Sequence, residues 1–175
     1  MRFFLRRRCE HNRLLGDIPE GGGYINGQAL GTVSRLKFGL FRLGYNGCGC
    51  IAVYNALVFL GRRLPLHQIV RSMERYRLFF GMFGFNPYRI GRILKQFGIS
   101  FTRSDPPENS DAFIISYRTR KGIFSPVHTV FCVREDDGVT VFNRYNSSPE
   151  ASRCGSVDEL CSGRKPLAVY IIKQH

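Results

Sequence analysis

No stretch of this chain is apolar for long enough to cross a bilayer. The longest, Cys50 to Leu60, is broken by Asn55 and falls short of the roughly 20 residues a spanning helix takes. The basic start, Met1-Arg2-Phe3-Phe4-Leu5-Arg6-Arg7-Arg8, is followed by no apolar segment, so it does not read as a signal peptide and a cytoplasmic location is expected. Acidic residues are scarce, 13 against 26 Lys and Arg, leaving a net charge of +13. Lysine is scarce as well, 5 beside 21 arginines. That field suits an acidic peptide. No nucleic-acid motif accompanies it, so a nucleic-acid partner is not expected, and a solvated basic surface is the plain alternative. Metal-ligand spacing is also missing. Cys48 and Cys50 are spaced C-x-C, with no C-x-x-C or H-x-x-x-H group to complete four ligands. Neither a metal nor another cofactor is expected. Six cysteines without an export signal do not imply a disulfide framework, although Cys154 and Cys161 are close enough in sequence to pair.

What is present fits one domain and an arm. The 175 residues are 43% hydrophobic, enough for a core. Residues 1–31 read as a basic, Gly-rich N-terminal arm with no sustained periodicity, and residues 32–175 as the globular domain. Cys48 to Leu60 predicts a helix apolar on nearly all sides, hence central and buried, with Gly61 at its end. Pro65 opens a second helix to about Tyr76. Phe79 to Phe85 is a Gly- and Phe-rich loop. Asn86-Pro87 is a helix-start signal, and Ile90, Ile93, Leu94 and Phe97 follow at helical spacing up to Gly98. Strands are then predicted over Ile99–Arg103, Ala112–Thr119, Val127–Arg134, Val139–Asn143 and Leu167–Lys173, with a turn at Glu135-Asp136-Asp137-Gly138. Helices first and strands second point to an α+β fold, with N-terminal helices packed on a C-terminal antiparallel sheet.

Cys48 stands between two glycines at the start of the buried helix. Helix N-termini carry positive partial charge and unpaired N–H groups, which favour a thiolate and can hold an oxyanion. Glycine lets another backbone come close, as a peptide substrate must. A buried structural cysteine is the plain alternative, and Cys50, two positions on, reads as core. A thiol nucleophile needs a base. His11 lies in the arm, His175 is the last residue and His67 sits among polar neighbours, whereas His128 starts an apolar strand. If 134 pairs with 139 across the turn, 128 opposes 145 and 130 opposes 143, which puts His128 and Asn143 diagonally on one face. An Asn side-chain oxygen there would accept from one ring N–H and leave the other nitrogen for the thiol.

Cys48-Gly49-Cys50-Ile51-Ala52-Val53-Tyr54-Asn55-Ala56-Leu57-Val58-Phe59-Leu60-Gly61 resembles the nucleophile helix of papain-like cysteine peptidases of the bacteriocin-processing (double-glycine) group and their stand-alone relatives. Asn86-Pro87 to Gly98 is similar to their next helix, and His128, the Asp-Gly turn and Asn143 resemble their His…Asp/Asn half. The resemblance covers roughly residues 36–145. It implies a papain-like fold, a bacterial thiol protease (hydrolase) and a catalytic triad of Cys48, His128 and Asn143 acting on a peptide or protein. Three departures stand out. Arg42 occupies the place of the usual oxyanion glutamine, with Asn46 the nearest amide; Asn143 stands where that group more often has Asp; and the fused transporter is missing. Acyl transfer or deamidation by the same site, or a degenerate papain-like binding protein, are the alternatives. Gly21-Gly22-Gly23, after Leu14-Leu15-Gly16-Asp17-Ile18-Pro19-Glu20, also resembles the leader ends such peptidases cut, which raises self-processing; a flexible Gly linker is the alternative.

Overall fold

The computed structural model of this chain describes residues 2–15, 23–104, 110–122 and 125–174. Most of the leader-like segment, and His175, lie outside them. The elements run α1 (Arg2–Leu14), β1 (Lys37–Phe38), β2 (Phe41–Arg42), α2 (Leu43–Asn46), α3 (Cys48–Phe59), α4 (Leu66–Met73), α5 (Ile90–Gln96), β3 (Phe101–Arg103), β4 (Ala112–Arg118), β5 (Val127–Glu135), β6 (Gly138–Phe142), β7 (Ser152–Cys154), α6 (Val157–Cys161) and β8 (Ala168–Ile172). Among them no helix is long and apolar enough to cross a membrane. The fold is α+β: helices, then an antiparallel six-stranded sheet in the order β3-β8-β4-β5-β6-β7.

Every residue of α3 from Cys48 to Leu57 is buried, as an all-round apolar helix requires. It lies across β4 and β5 and forms one core with Ile114, Phe131 and Tyr170 of the sheet. The opposite sheet face makes a second core from Phe113, Ile115, Val130, Cys132 and Val141, which α6 covers through Leu160 and Cys161. Covered on both sides, β4 is apolar without alternation. One polar side chain enters α3. Asn55, fully buried, accepts from the Ile25 N–H at 2.8 Å and donates to the Ile25 carbonyl at 2.9 Å, pinning an irregular strap at residues 23–28 to the helix.

Helix starts and stops follow their chemistry. Asn86 accepts from the Tyr88 N–H at 3.0 Å ahead of Pro87, and left-handed Gly98 ends the turn after α5. The predicted register also appears: Arg134 opposes Val139, with Asp136-Asp137 as a two-residue loop. One segment differs. The stretch expected to lack periodicity holds α1. The contacts made by its described side chains include hydrogen bonds and an ion pair, which call for no apolar periodicity. Asn12 donates to the Lys37 carbonyl at 2.9 Å and accepts from the Lys37 N–H at 2.8 Å, and Arg8 lies 3.7 Å from Glu74.

Candidate active site

Cys48 is the first residue of α3, and no side chain caps that end. Cys48 is buried, though as a residue it keeps 9% exposure, against 2% or less for Cys50, Cys132, Cys154 and Cys161. The two flanking glycines serve the protein's own packing. A Cβ on Gly47 would overlap Leu43, and one on Gly49 would overlap the ring of Phe85. The expectation that they open space for a substrate backbone is therefore corrected: Phe85 and Leu43 already fill it, and glycine at these positions lets α2 and the loop before Asn86 close on the nucleophile helix.

His128 is the second residue of β5, half-buried, and faces Tyr117 on β4 across the pair, ring edge to ring face with centroids 6.1 Å apart. Its Nε2 lies 2.8 Å from the main-chain carbonyl of Asn143. A carbonyl can only accept, so Nε2 carries a hydrogen, and Nδ1 is left for the thiol. Burial pushes the Cys48 thiol upward. The hydrogen bond with His128, the His128 charge and the N–H groups of Thr129 and Gly49 outweigh it, leaving the thiol below its ordinary value. Burial likewise works against a charged His128. The hydrogen bond and charge of Cys48, with the main chain of Asn143 and Arg144, outweigh it and raise the imidazole. Opposite shifts in the two groups mean that the charged form of each favours the charged form of the other. Cys50 and Cys132 are pushed well up, burial being the largest cause in each, so neither competes as a nucleophile.

Asn143 reaches this pair differently from the expectation. The β5–β6 ladder ends at Phe131 opposite Phe142, and Asn143 turns out of it with φ +61, a left-handed conformation Asn tolerates better than most residues. That turn accompanies the bond from His128 to its carbonyl. Its side chain is committed elsewhere: Oδ1 accepts from the Gln28 N–H at 3.0 Å and Nδ2 donates to Gln28 Oε1 at 3.1 Å. The orienting acceptor is thus main chain, and the amide ties the strap to the end of β6. Asn26 completes the tie by accepting from the Asn143 N–H at 2.8 Å.

Of the two proposed oxyanion side chains, Asn46 is committed elsewhere. Asn46 Nδ2 donates to the carbonyls of Phe38 and Gly81, and the atom left without a partner, Oδ1, is an acceptor, the wrong polarity for an oxyanion. Arg42 is exposed on β2 opposite Lys37 and makes no hydrogen bond or ion pair among the described residues. All six cysteines are free, Cys154 and Cys161 included, and Arg144 Nη1 donates to Cys154 Sγ at 2.8 Å. Among the described residues no group of three or more His, Cys, Asp or Glu side chains is arranged to hold a metal ion.

Several participants were not foreseen. Gln28 and Asn26 lie on the segment read as arm, and no local pattern marks them. Thr129 acts through its N–H, which side-chain identity does not report. Asn55 left one trace, as the lone polar residue in an apolar helix. No protein-family model matches this chain, and no curated protein matches it.

Proposed function

We propose that this protein is a cysteine peptidase with a papain-like arrangement, hydrolysing a peptide or isopeptide bond. The reading rests on Cys48 at the head of a buried helix and on His128, whose Nε2 is held by the Asn143 carbonyl, with the thiol lowered and the imidazole raised by each other. The Cys48 thiolate attacks the carbonyl carbon. The resulting oxyanion is met by the main-chain N–H of Cys48 at the positive end of α3. Protonated His128 gives its Nδ1 proton to the leaving amine, forming a thioester. Neutral His128 then takes a proton from water, which attacks the thioester and returns Cys48 with the free acid. Asn143 is a positioning residue here and touches no reacting atom. The lack of acidic counterweight to the Arg-rich surface favours an acidic peptide or protein substrate.

The test is mass spectrometry of a mixed peptide library after incubation with wild type and with Cys48→Ala, with and without an added amine. New carboxyl termini formed only by wild type support peptidase action. Amide transfer to the added amine, or a side-chain mass change of +1 without chain cleavage, assigns the same site to acyl transfer or deamidation. No change in any arm, together with a Cys48 that alkylates no faster than a free thiol, overturns the enzyme reading in favour of a binding protein.

A further inference from the structure

We propose that the face formed by residues 79–83 and the β1–β2 turn docks on an anionic lipid bilayer. Phe79, Phe80, Met82 and Phe83 are 72%, 64%, 49% and 64% exposed on one short loop, and Leu40, at the tip of the β1–β2 hairpin, is 68% exposed. The two tips are joined: the Leu40 N–H donates to the Phe80 carbonyl at 2.9 Å. Five large apolar side chains therefore share one rim, where water is the costliest neighbour they could have.

This rim is built rather than loose. Phe79 and Phe80 hold φ of +45° and +57°, which bulky side chains adopt only under constraint. Bonds from Leu78 N–H to the Gly84 carbonyl, Gly81 N–H to the Leu78 carbonyl and Met82 N–H to the Phe79 carbonyl close the loop on itself. Asn46 also donates to the Gly81 carbonyl. Main-chain groups satisfied within the protein can enter a lipid interface without the penalty of open ones.

Charge selects the occupant. From residue 21 to residue 104 the chain has twelve arginines and lysines and one acid, Glu74. That acid is 3% exposed and consumed by Arg77 at 2.9 Å and by the Gly39 N–H at 2.9 Å. The described helical half after α1 thus shows no exposed carboxylate. Cations border the apolar tips directly: Lys37 and Arg42 are exposed opposite each other on the strands that carry Leu40. Arg7, Arg8 and His11 of α1 line an open pocket with Lys37 and Leu40. Apolar tips flanked by the cations Lys37 and Arg42 match an interface with hydrocarbon below and phosphate above. A second copy of this chain, at +13, brings like charge to like charge.

The experiment uses the full chain and vesicles of phosphatidylcholine with about one-third phosphatidylglycerol, against phosphatidylcholine alone. Co-sedimentation is expected with the anionic vesicles and to weaken in high salt. Phe79→Ser/Phe80→Ser/Phe83→Ser should reduce partitioning at least about tenfold, and Lys37→Gln/Arg42→Gln by about fivefold or more per charge. The chain contains no tryptophan, so Phe83→Trp supplies a single reporter whose emission should shift to the blue on anionic vesicles alone. Circular dichroism melts establish that each variant is folded. An unshifted emission, equal binding to neutral vesicles, or a triple-serine variant that binds like wild type each overturns the proposal. So does a loop-dependent dimer that ignores vesicles, which would make the rim an interface between copies. Cys48→Ala should bind vesicles as wild type does.

Discussion

His128 gives its Nε2 hydrogen to the main-chain carbonyl of Asn143 at 2.8 Å, while the Asn143 side chain faces Gln28. The two jobs of Asn143 are therefore separable. Asn143→Gly keeps the carbonyl and suits φ +61, but deletes two hydrogen bonds to Gln28. Stability should fall by about 2 kcal/mol, and Cys48 alkylation by iodoacetamide should stay within a few-fold of wild type. Asn143→Val forces a β-branched residue into the left-handed region, at a further cost of about 1–3 kcal/mol, and should slow alkylation by displacing the carbonyl. Urea melts and alkylation rates measured side by side check both. If the glycine variant loses reactivity as completely as His128→Ala, the side-chain amide orients the ring after all.

The thiol and imidazole shifts set the pH dependence. Cys48 lies below its ordinary value and His128 above its own, so each charged form favours the other and the pair titrates in two macroscopic steps. Alkylation should begin at a pH below the usual thiol range and hold a plateau. As pH rises through the elevated imidazole value, peptide hydrolysis should decline because the proton for the leaving amine is gone, while alkylation does not. In His128→Ala the largest remaining influence on Cys48 is burial, so its titration should move upward past that of wild type. Rate against pH for both proteins is the measurement; superimposable alkylation profiles would dissolve the pair.

Much of this was written in local pattern. The all-round apolar helix, the Asn86-Pro87 start and the even register of β5 and β6 follow from periodicity and turn chemistry, and they bring Cys48 and the end of β6 to one region. Three things were not readable. Among its described side chains, α1 is tied down by Asn12 and Arg8, polar contacts that call for no apolar stripe. α6 is only five residues long, although Ser156 accepts from the Glu159 N–H at 3.1 Å in a recognisable cap. The Asn143 carbonyl took the role assigned to its side chain because the residue leaves the ladder one step before the diagonal contact forms. Side-chain identity carries no information about which main-chain oxygen will be nearest.

Packing at Gly49 makes a further expectation. Gly49→Ala drives a methyl into the Phe85 ring, so overpacking should cost about 1–3 kcal/mol and disturb the start of α3. Phe85→Ala alone opens a cavity at a residue only 6% exposed and should cost about 3 kcal/mol or more. The double variant should cost less than the two single losses added, because the new methyl enters space the ring vacated. Urea midpoints for the four proteins close the cycle. Strict additivity would mean that the two positions do not touch.

The last expectation concerns Asn55, the one polar side chain in the interior of α3. Both of its hydrogen bonds go to the main chain of Ile25, and from there the strap runs to Asn26 and Gln28, the partners of Asn143. Asn55→Leu is close in volume and gains apolar contact, yet leaves the Ile25 N–H and carbonyl buried without partners, each at about 1–3 kcal/mol. The loss should therefore exceed what the gained leucine contact offsets, and the strap should open before the rest of the fold. Hydrogen exchange reports this residue by residue: amides of residues 24–28 should lose protection in Asn55→Leu while those of β4 keep it. Because Asn143 is held by that strap, Cys48 alkylation should slow in the same variant, with the thiol itself untouched. Unchanged protection at 24–28 would mean the strap is held by Tyr24 stacking on Phe142, whose ring centroids are 4.1 Å apart, rather than by Asn55.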